Sequence, residues 1–204
     1  MVGARTLAVV AVVALPLACG GGAPRVVQAG LYFEPVVFSS AALGGALNTA
    51  DLATIEGVAR DELARAFAGR RIAFSRGRQG RYRVAVVQTV RDLRARAGMS
   101  VAGQSRAMTG VGGQGVVNFS LLAAAALSCV PADASRTDLL TAIGRGVGRA
   151  AVHEFTHQLL PTAPIHDARD PRSYEYASAG RCEQYVGEMH WDLAGPLLAR
   201  RLGG

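Results

Sequence analysis

His153-Glu154-Phe155-Thr156-His157 constrains this chain more than any other stretch. Residues four apart share a helix face, so a helical segment points both imidazoles at one metal ion. Glu154 sits beside the pair, where its carboxylate reaches a water at the metal. That arrangement is the core of a zinc-hydrolase site. Two helix histidines that cap or fill a core are the alternative.

The surrounding sequence favours a helix over residues 138–160. Ser135, Thr137 and Asp138 supply N-cap residues. Leu139, Leu140, Ile143, Val147, Ala150 and Ala151 then follow at helical spacing into the motif. Pro161 and Pro164 end it. Gly144, Gly146 and Gly148 are poor helix formers; as small residues they let the helix lie close against a sheet. They do not make a dinucleotide fingerprint, because the spacing is wrong and no strand leads into them.

The chain has 204 residues, half of them hydrophobic, enough for one domain with a core. Its net charge is +7 and every basic residue other than histidine is arginine. The lack of lysine excludes a Schiff-base lysine and a phosphate-loop lysine. Eleven arginines fall between Arg60 and Arg96. No nucleic-acid motif accompanies them, so they read as a solvated basic face and no nucleic-acid partner is expected.

Residues 1–19 read as a signal peptide. Arg5 precedes an apolar run over residues 7–18 that is too short to span a bilayer. It ends at Ala18-Cys19-Gly20, which resembles the lipobox of bacterial lipoproteins, although Pro16 stands where an aliphatic residue is usual. Lipidated Cys19 would anchor the protein to a membrane of the cell envelope, facing periplasm or exterior; an ordinary secretory signal is the alternative. Residues 20–30 read as a tether. Export leads to an oxidising compartment, where Cys129 and Cys182 form an even pair for one disulfide.

Along residues 31–204, Val36, Val37 and Phe38 suggest a first strand. A helix is expected over residues 51–68, capped by Thr49 or Asp51. Residues 71–75 and 82–90 read as strands, the second central, with a turn at Gly77 and Gly80. Residues 91–108 read as a long loop. A glycine-rich strand then contains Gly115, Val116, Val117, Asn118 and Phe119, which a peptide substrate can approach closely as an added strand. Residues 121–127 suggest a short helix. Trp191, Leu193, Leu197, Leu198 and Leu202 suggest a C-terminal helix kinked at Pro196. His190 reads as a buried or capping residue beside Trp191. There are no internal repeats.

Strands and a helix, a glycine-rich strand, then H-E-x-x-H late in the chain together resemble the metzincin clan of zinc peptidases. Pro164-Ile165-His166-Asp167 is similar to the segment carrying the clan's third histidine. Asp170-Pro171-Arg172-Ser173-Tyr174-Glu175-Tyr176 resembles its loop into the Met-turn. The likeness extends over residues 30–180, and its specific motifs over roughly residues 138–176. Three departures stand out. Leu160 replaces the glycine after the second histidine, His166 follows His157 at a longer interval than in the family, and Glu175 stands in the place of the methionine.

The resemblance implies an α/β (α+β) domain: a mixed twisted sheet, a long active-site helix, an upper part to about residue 160 and a smaller lower part over residues 161–204. It implies Zn2+ held by His153, His157 and His166; Asp167 and Asp170 are alternative third ligands, and Glu175 and Glu183 lie at spacings open to another zincin class, which takes a Glu from a following helix. Glu154 would act as general base on the attacking water and return the proton to the leaving amine of a peptide or protein substrate. Tyr174 and Tyr176 either donate to the oxyanion or pack as ordinary aromatics. A zinc-binding envelope lipoprotein without catalysis, or a binding module, are the rival functions.

Overall fold

The computed structural model describes residues 25–90, 102–108, 112–163, 165–166 and 168–203. The signal peptide, Cys19, Pro164 and Asp167 lie outside them. A five-stranded sheet with order β4-β1-β5-β7-β6 forms the scaffold. Its strands are β1 (Val27–Phe33), β4 (Ile72–Ser75), β5 (Tyr82–Val87), β6 (Gly103–Met108) and β7 (Gly112–Asn118). The first four in spatial order run parallel, and β6 is an antiparallel edge. The short β2 (Ser39–Ser40) and β3 (Gly45–Ala46) pair separately.

Buried Ala29 and Leu31 of β1 and Val84 and Val86 of β5 fill the middle of the sheet. Tyr82, Val84, Ala85 and Val86 are all buried, which matches the two-sided burial of a central parallel strand. Helix α1 (Thr49–Ala66) connects β1 to β4. Asn48 and Asp51 form a reciprocal capping box at its start, so the cap lies one residue before the expected Thr49. Helix α2 (Phe119–Cys129) begins directly after β7, with Asn118 as its cap.

Helix α3 (Arg136–Leu159) spans 24 residues and opens on a Ser135–Asp138 capping box. It packs against β5, β6 and β7 and, along another stripe, against α1. The small residues serve that second contact. A Cβ at Gly144 would meet Val58 and the Ile55 carbonyl, and one at Gly148 would meet Ala59 and Glu62, so these glycines face α1 rather than the sheet. Arg136 clasps Asp51 at 2.8 Å and ties the two helix N-termini together.

Several expectations are corrected. Residues 27–30 belong to β1, not to a tether. Val36 and Val37 lie exposed at and just after a bend, not in a strand. Part of the expected loop is strand β6. Helix α4 (Ala194–Leu202) starts only after Leu193, which puts Pro196 in its first turn, where a missing N–H breaks no bond and no kink is needed.

Residues after α3 are mostly irregular and are held by specific links. Trp191 donates its indole N–H to the Ala66 carbonyl at 2.7 Å and stacks edge-on against Phe67. The Glu175 carboxylate accepts the backbone N–H groups of Asp192, Leu193 and Ala194 at the start of α4. Cys129 and Cys182 are joined in a disulfide between the end of α2 and a short 3-10 turn, Cys182–Gln184. The residues thus form a mixed α/β domain with a smaller C-terminal part.

Candidate metal centre

The last turns of α3 present His153 and His157 on one face, as their four-residue spacing requires. The helix closes with the Leu160 N–H on the Thr156 carbonyl, and a tight turn follows. Ile165 is buried and anchors that turn, which brings His166 back to the helix. The three Nε2 atoms converge: His153 to His166 is 3.0 Å, His153 to His157 is 3.2 Å, and His157 to His166 is 2.9 Å. Among the described residues, this is the group of His, Cys, Asp and Glu side chains placed to bind a metal ion.

A backbone contact fixes the state of the first imidazole. His153 Nδ1 lies 2.9 Å from the Tyr174 carbonyl, an acceptor only, so Nδ1 carries the proton and Nε2 presents a lone pair. Burial pushes His153 down to about 4, against the Tyr174 hydrogen bond and with the help of His166. Burial, then His153 and His166, push His157 down to about 4 as well. Both rings are therefore neutral near pH 7. Protons cannot satisfy three facing nitrogens at once, and a cation can.

Glu154 is buried beside this cluster, and its Oε2 has no hydrogen-bond partner among the described residues. Burial raises its pKa to about 7, the Ser105 hydroxyl offsetting part of the rise. Strand β6 packs directly on it. A Cβ at Gly103 would fall on the Glu154 carboxylate, so only glycine fits there. Ser105 Oγ donates to the Glu154 main-chain carbonyl at 3.0 Å.

A cleft of about 650 Å³ opens onto these residues. Leu121, Leu122 and Ala125 of α2, with Ala150 and Tyr185, make one side apolar, and residues 102–105 at β6 form a rim. Tyr176 also lines it.

Other expected site residues sit differently. Tyr174 donates its hydroxyl to Glu62 at 2.9 Å, so it offers no donor to an oxyanion. Glu175 is spent on the α4 N-terminus, and Asp170 is clasped by Arg172 at 3.1 Å with His190 3.8 Å away. Glu183 stands 3.8 Å from Arg181. None of these three carboxylates joins the histidines. His190 is largely exposed, and its main chain pairs with Arg172 and Tyr174. The segment containing Gly115, Val116, Val117, Asn118 and Phe119 cannot take a substrate strand. Its strand, β7, is flanked by β5 and β6 on both edges, and Phe119 begins α2. Its glycines make room for side chains instead: a Cβ at Gly113 would strike Gln158, which bonds to both Arg83 main-chain groups, and one at Gly115 would strike Ser105 Oγ.

Sequence reasoning missed Ser105, Gly103, the Tyr174 carbonyl and Glu62. Only Arg149 gave a signal for the last of these: a charge one turn before His153, on the buried stripe of α3, calls for a buried partner. No protein-family model, curated protein or solved structure matches this chain.

Proposed function

We propose that this chain is an exported zinc metallopeptidase with a metzincin-like zincin domain, anchored to a membrane through lipidated Cys19. One observation carries the reading: three imidazole Nε2 atoms converge beside a buried carboxylate oxygen that has no hydrogen-bond partner among the described residues. A tetrahedral zinc ion with Zn–N of roughly 2.0–2.1 Å spaces its ligand nitrogens about 3.3 Å apart, close to the separations here. Three imidazoles suit zinc and would leave a fourth position for water.

Bound by His153, His157 and His166, zinc would supply Lewis acidity toward a water and a substrate carbonyl. The chain's own residues do the rest. His153, held by Tyr174, keeps its Nε2 unprotonated and aimed at the site. Glu154 accepts a proton from the attacking water at Oε2 and delivers it to the leaving amine; a carboxyl raised to about 7 is matched to both transfers at neutral pH. Tyr176 on the cleft wall is the candidate oxyanion donor. Peptide lies along β6, whose outer edge pairs with no strand among the described residues.

The test is metal analysis and cleavage of a peptide library by wild type and Glu154→Gln. We expect stoichiometric zinc in both, and hydrolysis lowered at least roughly a hundredfold in the variant. Zinc without cleavage by the wild type would make this a non-catalytic metal-binding envelope protein. No metal in either would reject both readings.

A further inference from the structure

Behind the histidines lies a charged cluster that the reaction itself does not use. Glu62 of α1 is 1% exposed. Its Oε1 accepts from Arg149 Nε at 3.1 Å and from the Tyr174 hydroxyl at 2.9 Å, and its Oε2 accepts from Arg65 at 2.6 Å. Arg149 is equally buried, and its remaining nitrogens donate to the Glu183 and Gly187 carbonyls. An ion pair this deep adds little to stability over a well-packed apolar pair. Its worth lies in where it puts the groups it holds.

Tyr174 is the group that matters. It sits in an irregular segment whose neighbours make one isolated bridge, Ser173 to His190. At one end its phenol is pinned to Glu62; at the other its carbonyl takes the Nδ1–H of His153. The rigid side chain therefore transmits a position set on α1 to an imidazole on α3. We propose that Glu62 is a positioning residue for the metal centre: by holding the Tyr174 phenol it sets the carbonyl that fixes the tautomer and tilt of His153. The Tyr174 N–H bond to the His190 carbonyl at 3.1 Å and the packing of its ring on Trp191 hold the same residue from other sides, but the polar anchor of the phenol is Glu62. The proposal rests on the reading that the three imidazoles bind a metal ion.

Three variants test it: Tyr174→Phe, which removes only the hydroxyl; Glu62→Gln, which keeps an acceptor but not the charge; and His153→Ala. Each is measured for zinc affinity by chelator competition, for the visible spectrum with Co2+, and for melting temperature without metal. Tyr174→Phe should weaken zinc binding by up to about 10-fold, the low end for loss of support to a ligand, and shift the Co2+ spectrum; Glu62→Gln, whose amide oxygen can still accept from the phenol, should do both to a smaller extent. The His153 Nδ1–H proton of metal-free protein, observed by NMR, should move or broaden in both. Unchanged affinity, spectrum and Nδ1–H signal, with only a lower melting temperature, would overturn the proposal and leave the cluster a structural one. If His153→Ala binds zinc as well as wild type, the metal-site reading fails instead, and the Nδ1–H signal alone then decides whether Glu62 orients the ring.

Discussion

Ser105 on β6 donates its hydroxyl to the main-chain carbonyl of Glu154 on α3 at 3.0 Å. This bond registers the open edge of the sheet against the residue that carries the candidate base. It also seals the Glu154 side chain under Gly103, which is why burial dominates its titration.

A pH-dependent stability follows. The folded Glu154 value of about 7 stands above the ordinary 4.5. The group's contribution is therefore fully present below pH 4.5 and lost as pH rises through about 7. Glu154→Gln removes the loss. In metal-free protein the variant should gain on wild type by up to about 3 kcal/mol between pH 4.5 and 8. His153 and His157 act oppositely. Their folded values near 4 lie below 6.5, so their contribution is full above pH 6.5 and falls away toward pH 4. That part is common to both proteins and cancels in the difference. Urea unfolding across this range, with chelator present, measures it; a difference independent of pH would mean a solvated carboxylate.

The third ligand can be tested against its competitors. His166→Ala should reduce zinc affinity by more than the roughly 10–100-fold that losing a support to a ligand brings. Asp170→Ala and Glu183→Ala should leave it nearly unchanged, because Arg172 and Arg181 occupy those carboxylates. Calorimetric titration with Zn2+ would rank them, and equal losses in all three would refute the triad.

Much of this arrangement was legible in the sequence, for identifiable reasons. The H-E-x-x-H spacing, the Ser135 cap, the even cysteine pair and His166 after the helix-ending prolines are local signals, and they coincide with α3, the disulfide and the convergent imidazoles. Strand β6 was not legible, because an exposed edge strand reading Gly-Gln-Ser-Arg-Ala-Met lacks apolar alternation. Strand β1 carries Gly30 and follows a glycine-rich run, so its first residues, 27–30, read as linker. Glu62 looks like any helix surface residue, since its burial is decided by Arg149 and Tyr174, far along the chain. The Tyr174 contact runs through a carbonyl, which no residue type encodes.

Glu175 has a structural task. Its carboxylate takes three N–H groups at 3.0, 2.7 and 2.7 Å and sits at the positive end of α4. Glu175→Gln replaces one acceptor oxygen by a donor facing those amides. It should destabilise the fold by about 1–3 kcal/mol with zinc affinity unchanged. Denaturation and zinc titration of the same sample check it; weakened zinc binding at full stability would return Glu175 to the list of ligands.

Membrane attachment is a prediction about Cys19; no helix among the described residues is long and apolar enough to cross a membrane. Two acyl chains on Cys19 would hold the protein firmly, where one is marginal. Cys19→Ser should move it from the membrane fraction to the soluble one or leave it unprocessed. Mass spectrometry that finds an N-terminus other than modified Cys19 on the wild type would reject lipidation.

The disulfide joins two walls of the cleft that are remote in sequence. Cys129 closes α2, whose Leu121, Leu122 and Ala125 line the apolar side, and Cys182 opens the turn that leads to Gln184 and Tyr185. The bridge spans 53 positions. Closing a loop of that length in the unfolded chain stabilises the native state by about 4 kcal/mol on an entropic account. Reduction, or the Cys129→Ser and Cys182→Ser pair, should remove up to that much. It should also loosen the apolar wall while the three imidazoles, placed by α3 and the turn at Ile165, stay together. Zinc affinity should therefore survive reduction even as stability falls. The readouts are thiol titration of denatured, unreduced protein, which should find neither Cys129 nor Cys182 reactive, and zinc affinity with and without reductant. Loss of zinc in step with the disulfide would show that the C-terminal part, not α3, holds the metal site together.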